Sequence, residues 1–162
     1  MIVIQPLASV DHAAVETLLD AAFGPGRHAR TAYAIRGRAR ALPALSFAAL
    51  DGTMLAGSIQ CWAVGLSLDG GGTAPLSMVG PVAVMPDRQG GGIGRLLMET
   101  TLDAAGEGVG RGLMLIGDPE YYTRFGFTAA RTARWRLPGP VDARRLLARG
   151  DVPDAAGLLG PA

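Results

Sequence analysis

Two clusters in this 162-residue chain combine residue types and spacings that can do chemistry. The first is Gln89-Gly90-Gly91-Gly92-Ile93-Gly94-Arg95, preceded by the apolar run Val82-Ala83-Val84 and by Met85-Pro86-Asp87-Arg88, and followed by a helix-like segment. A strand thus feeds a glycine loop, and the loop feeds a helix N-terminus. The first turn of a helix has backbone N–H groups with no internal partner, and the helix dipole adds partial positive charge, so such a junction binds anions, phosphate above all. Glycine suits the task because it accepts positive φ and, lacking a Cβ, lets phosphate oxygens descend onto the amides. The second cluster follows the apolar run Leu113-Met114-Leu115-Ile116 and reads Gly117-Asp118-Pro119-Glu120-Tyr121-Tyr122-Thr123-Arg124-Phe125-Gly126-Phe127. It holds two phenols, which stay protonated at neutral pH.

Which phosphate ligand the loop suits is decided by what it lacks. A mononucleotide loop ends in Gly-Lys-Ser/Thr, and this chain has no lysine. A dinucleotide fingerprint needs Gly-x-Gly-x-x-Gly, but the third position falls on Arg95 in one frame and on Leu97 in the other. The pattern that fits is Gln-x-x-Gly-x-Gly, with Gln89, Gly92 and Gly94 in place after a Val-x-Val strand. This spelling resembles the coenzyme-A pyrophosphate loop of the GNAT superfamily of acyl-CoA-dependent N-acyltransferases. Tyr122 stands four residues before Gly126-Phe127, as a tyrosine commonly does in that family, and the second cluster is similar in particular to a subgroup of small, single-domain bacterial members. The motif-bearing resemblance covers about a third of the chain.

That resemblance implies a fold: α/β, a mixed and mostly antiparallel twisted sheet with a central parallel strand pair and helices on both faces. It also implies a reaction, acetyl transfer from acetyl-CoA to a primary amine by direct attack. Gln89, Gly90, Gly91, Gly92, Ile93, Gly94 and Arg95 would anchor the cosubstrate, and Val82, Ala83 and Val84 would pair their main chain with its pantetheine arm. Tyr122 would be the general acid: a phenol with pKa about 10, against about 8.5 for a thiol, stays protonated at neutral pH and can hydrogen-bond the sulfur as negative charge develops there. No general base is assigned. Relatives often place a glutamate near the cosubstrate, yet no acid lies between Asp69 and Asp87; Asp118, Glu120, His28, a water chain and an amine arriving neutral all stay open. The acceptor would be a small molecule or a peptide, and Phe23, His28 and Tyr33 are candidates for its contacts. A second reading is a catalytically idle acyl-CoA-binding sensor or scaffold, which intact Tyr122 opposes.

Composition narrows the classes further. The length suits one domain with a single core, 1–162, with the residues after about 150, rich in Gly, Pro and Ala, as a loosely held tail. A net charge of +1, with 14 acids against 15 arginines, gives no basic face for nucleic acid. With one cysteine, Cys61, and two histidines, neither an intramolecular disulfide nor a metal site is expected. No basic leader opens the chain and no run approaches a membrane span, so a cytoplasmic monomer or homodimer is expected.

The elements that must position the two clusters follow from punctuation and periodicity. Ile2-Val3-Ile4 makes a first strand, and Ser9 or Asp11 caps a helix to about Phe23 with Val15, Leu18, Leu19 and Ala22 on one face. A shorter helix is expected over 27–38. Asp51-Gly52 joins two strands, 45–50 and 54–66, and a third runs 76–84. The helix after the loop should bury Ile93, Leu96, Leu97, Thr100 and Ala104. Gly106 to Gly112 is the return turn to strand 113–116, parallel to 76–84 because a helix intervenes. The pattern predicts an antiparallel strand over 130–137 and a short helix within 141–149.

Overall fold

A computed structural model describes residues 1–106 and 112–162, so the expected return turn lies, apart from its ends, outside the described residues. Among the described residues, eight strands are hydrogen-bonded into a mixed, mostly antiparallel sheet. The chain divides into two compact units. One comprises Met1–His28, Ala41–Cys61 and Gly80–Gly106, and the other Ala29–Arg40, Trp62–Val79 and, of the described residues, 112–162.

In the first unit, β1 (Ile2–Pro6) and β2 (Phe47–Asp51) are antiparallel, and β2 turns through Gly52 into the start of β3 (Met54–Leu68). Gly52 has φ +61°, the left-handed conformation a tight hairpin needs. Ala48 and Ala49 are both wholly buried, although consecutive strand residues point to opposite faces. Both faces of β2 are therefore covered. Helix α1 (His12–Phe23) is capped by Asp11, whose carboxylate accepts the Ala13 N–H at 3.3 Å. Its Val15, Leu18 and Leu19 pack with Leu7, Ala48 and Ala83. Its outward Glu16 and Asp20 are not left to water, because Arg27, only 3% exposed, bonds Asp20 at 3.0 Å and Glu16 beside it.

Helix α3 (Ile93–Ala105) covers the opposite face, where Gly57 of β3 admits Ile93 and Leu97. Its buried stripe is Ile93, Leu97, Met98 and Thr101, whereas Leu96 is 38% exposed and Ala104 is exposed. The stripe read from periodicity is thus rotated. Two tertiary features turn the helix: the bare backbone at Gly57, and the Thr101 hydroxyl, which donates to the Leu45 carbonyl at 3.0 Å.

In the second unit, β4 (Thr73–Val84) pairs in parallel with β5 (Gly112–Ile116) at Leu76–Met78. Strand β5 is antiparallel to β7 (Leu146–Arg149). The expected helix within 141–149 is corrected: only Ala143–Arg145 turns, capped by Asp142, and Leu146, Leu147 and Ala148 are buried as β7. A pair of leucines fits either period, and the open edge of β5 decides. The expected antiparallel strand over 130–137 shrinks to β6 (Trp135–Arg136), parallel to β8 (Gly157–Pro161), because Thr132 closes a turn on Trp135 and spends its hydroxyl on the Leu146 carbonyl at 2.8 Å. Strand β8 itself corrects the loosely held tail. It pairs along Val64–Leu68 of β3 and buries Leu159. The second helix, α2 (Thr31–Arg36), is shorter than expected, ended by Gly37 at φ +57°, where a Cβ would strike Pro161. No helix of the described residues is long and apolar enough to cross a membrane.

Gly57→Val tests the helix seat. The new carbon would lie 2.8 Å from Ile93 Cγ2 and 3.0 Å from the Ala83 carbonyl, so urea denaturation should show a loss of about 1–3 kcal/mol despite valine's preference for strands. An unchanged midpoint would show that α3 is not seated on this glycine.

Candidate active site

The glycine loop belongs to the first unit and is built from both its ends. At the entrance, the Met85 N–H donates to the Ala56 carbonyl at 2.9 Å and a 3-10 turn, Pro86–Arg88, follows. Arg88 Nη1 bonds Asp51 Oδ2 at 2.7 Å, and Asp51 also meets the N-terminal ammonium at 3.3 Å. These two cations, Arg88 first, hold the Asp51 carboxyl below the usual carboxylate range. The loop is therefore tied to the β2–β3 turn, an anchor the sequence does not reveal, because an Asp-Gly pair signals a turn and nothing of a partner 37 residues on.

Beyond Arg88 the chain is bare. Gln89, Gly90, Gly91 and Gly92 are exposed. Gly90 and Gly92 have φ +86° and +83°, and a Cβ at either would point into open space. Gly91 and Gly94 have ordinary φ; a Cβ there would sit 3.5 Å from the Arg88 carbonyl and 3.8 Å from Val84 Cγ2. Two glycines are thus demanded by the backbone, and all four leave the loop uncovered. Gly92 is the N-cap of α3, with no side-chain cap. The first bond across the junction runs from the Leu96 N–H to the Gly92 carbonyl at 3.0 Å, so the amides of Ile93, Gly94 and Arg95 precede the helical ladder. The positive end of the helix's backbone dipoles lies at this turn.

The remaining residues flagged at this loop divide by side chain. Ile93 is 6% exposed and belongs to the core, so only its amide can face a ligand. Arg95 is exposed and bonds Glu99 at 2.8 Å. Ala83 turns its methyl into the α1 cluster, while Val82 and Val84 are half-buried.

Tyr122 belongs to the second unit. Asp118 caps the single turn α4 (Pro119–Tyr122), accepting the Glu120 N–H at 3.0 Å. A 3-10 turn then ends at Gly126, φ +83°, and the Phe127 N–H returns to the Tyr122 carbonyl at 3.3 Å. The two phenols are told apart by their partners. Tyr121 lies under the Arg124 guanidinium, 4.7 Å from its ring centre. Tyr122 is edge-on to Tyr121 at 4.9 Å and to buried Phe127 at 6.4 Å, and its ring lies so close over Gly117 that no Cβ would fit there. Burial, and after it Tyr121, push the Tyr122 pKa up against the opposing pull of Arg145. Asp118 goes the other way: hydrogen bonding to the Glu120 side chain and backbone holds its carboxyl below the usual range. Cys61 is wholly buried and its thiol is pushed up to about 12 by burial. Among the described residues, no group of three or more His, Cys, Asp or Glu could hold a metal ion.

The Tyr122 environment has a direct readout. Subtracting the alkaline ultraviolet titration of Tyr122→Phe from that of the wild type should leave a single phenol with a midpoint above the ordinary value of about 10. A midpoint at or below 10 would contradict the packing described.

Residues 3–130 match the family model described as an acetyltransferase (GNAT) domain. The fold is similar to YhbS, a GNAT family N-acetyltransferase of Escherichia coli solved with CoA (TM-score 0.73, 22% identity, covering 100% of this chain and 89% of that one). It is also similar to a GNAT family acetyltransferase of Brucella melitensis solved with acetyl-CoA (TM-score 0.62, 28% identity, 97% and 93%). A third similar structure is the ribosomal-protein-S18-alanine N-acetyltransferase of Escherichia coli (TM-score 0.56, 22% identity, 91% and 90%). No curated protein matches the chain in sequence. With the family match running through β1, the glycine loop, α3, β5 and the Tyr121-Tyr122 turn, the chain belongs to the GNAT acetyltransferase family.

Proposed function

We propose that the protein moves an acetyl group from acetyl-CoA to a primary amine by direct attack, all 162 residues serving one N-acetyltransferase domain. The observation that carries the reading is the uncapped N-terminus of α3 behind two open, left-handed glycines, Gly90 and Gly92. A diphosphate fits such a junction, and two structures of similar fold were solved with CoA or acetyl-CoA. Gln89 to Arg95 hold the pyrophosphate, with Ile93 acting by its amide alone, and Val82, Ala83 and Val84 offer main-chain partners to the pantetheine arm.

Direct attack is favoured over an acyl-cysteine intermediate by Cys61. A buried thiol raised to about 12 is not a nucleophile near neutrality, and it is the chain's one cysteine. The amine nitrogen attacks the thioester carbonyl, the C–N bond forms, and the C–S electrons leave on sulfur. Tyr122 gives its phenolic proton to that sulfur; its raised pKa keeps the proton in place until the thiolate develops. The proton shed by the amine goes to water. Asp118, with its lowered pKa and its cap to maintain, is a poor base.

The acceptor class we infer is a small amine or a peptide amine; a ribosomal protein is named for one protein of similar fold. We infer a cytoplasmic enzyme, monomeric or homodimeric, that uses no nucleic acid, membrane or metal.

Mixing the protein with acetyl-CoA and a panel of amines should release free thiol. An idle acyl-CoA-binding module would instead be stabilised by acetyl-CoA, by about 2.7 kcal/mol at 100 times Kd, and release none. Tyr122→Phe should keep the fold and slow the saturated rate at least tenfold, within the 10²–10⁴ range of general acids, while Tyr121→Phe changes little. Full activity in both variants would remove tyrosine from the mechanism.

Gly92→Val should weaken acetyl-CoA binding more than tenfold. Its φ of +83° makes any side chain cost roughly 1–2 kcal/mol of folding free energy, so calorimetric titration must be run below the lowered melting temperature. Wild-type affinity would rule out phosphate contact there.

A further inference from the structure

Strand β3 carries polar side chains where a strand buried on both faces should carry apolar ones. Side chains alternate along a strand, so Ser58 and Gln60 share one face while Gly57, Ile59 and Cys61 share the other. Ala48 stands directly opposite Ser58 in the register, which puts the two on the same side, and Ala48 packs with Val15, Leu18 and Leu19 of α1. Ser58 and Gln60 therefore lie on the α1 face of the first unit, about 7 Å apart along the strand.

Both are buried, Ser58 wholly and Gln60 to 6% exposure, and neither Ser58 Oγ nor Gln60 Oε1 has a hydrogen-bond partner. The same unit satisfies other buried hydroxyls. Ser46 Oγ accepts the Cys61 N–H at 3.1 Å, and Thr101 Oγ1 donates to Leu45. Among the described residues of the first unit the orphaned side-chain atoms are those of Ser58 and Gln60; in the second unit Ser77 Oγ and Arg149 Nη1 are in the same state. A buried polar atom without a partner loses its hydration and receives nothing for it, so folding alone would favour an apolar side chain at 60.

We propose that Gln60 is a specificity-determining residue: its carboxamide oxygen accepts a hydrogen bond from an N–H of the amine substrate, with the Ser58 hydroxyl behind it. The inference rests on the amine-acceptor reading above. Oε1 can only accept, so its partner must be a donor. Gln60 retains some exposure and Ser58 has none, which makes Gln60 the outer member, and its terminal torsion is broad enough to swing the oxygen outward. The opposite face is closed by α3, into which the glycine loop leads. On the other face α1 packs over Ala48, the neighbour of Ser58, so the amine reaches Gln60 from the part of that face beyond Ser58, where Gln60 keeps its residual exposure.

Gln60→Met keeps the side-chain volume and removes both polar atoms; Gln60→Leu is the second variant. Each should melt above the wild type, bind acetyl-CoA with unchanged affinity, and raise KM for the amine at least tenfold while kcat changes less than threefold. Ser58→Ala should show the same pattern with a smaller rise in KM. A lower melting temperature or failure to fold in both Gln60 variants makes the carboxamide structural and overturns the proposal, as does an unchanged amine KM or a loss confined to kcat. If the wild type releases no thiol with any amine, the acetyltransferase reading falls first and this inference with it; wild-type turnover beside indifferent variants sinks the inference alone.

Discussion

The close approach of α3 to β3 at Gly57 is the contact on which the glycine loop depends. A helix lies this near a strand only where the strand offers no side chain, and Ile93 and Leu97 fill that space. Ile93 is also the first residue of α3, so the residue that seats the helix is the one that fixes where its first turn begins. Ridge-into-groove packing thereby sets the position of an electrostatic feature. The loop can afford bare glycines at 90 and 92 because rigidity is supplied at both ends, by the helix seat and by the Arg88–Asp51 pair.

Charge is used sparingly and mostly in place. Arg27 is buried with its charge divided between Glu16 and Asp20 of α1, which fastens the segment leaving that helix to the helix itself. Removing either partner would leave a buried cation short of compensation, the costly case for ion pairs. Asp51 is exposed to solvent in part, and its two cations act over short distances where water still screens them. Its role is geometric, holding a turn and a loop entrance together.

In the second unit the discrimination between adjacent tyrosines comes from packing. Tyr121 is occupied by Arg124, through ring and carbonyl alike, whereas Tyr122 is pressed between Phe127 and the bare backbone of Gly117. Desolvation then keeps the Tyr122 proton on oxygen. The same physics disarms Cys61: burial favours the neutral form of both groups, which preserves an acid in one case and abolishes a nucleophile in the other.

The sequence alone determined what depends on local covalent constraint. The positive φ open to the loop glycines 90 and 92, a helix cap at Ser9 or Asp11, the Asp51-Gly52 hairpin and the parallel return after a helix all follow from short-range sterics and hydrogen bonding. Spelling alone likewise carried the family resemblance. Only the tertiary structure decided which way α3 turned its apolar side, that 146–149 pairs as a strand, and that the chain end adds a strand beside β3. Each of those depends on a partner distant in sequence: a groove at Gly57, an open edge at β5, a free flank along Val64–Leu68. The orphaned Ser58 and Gln60 were invisible for the same reason, since a polar residue in a strand says nothing about its hydrogen bonds until every neighbour is placed.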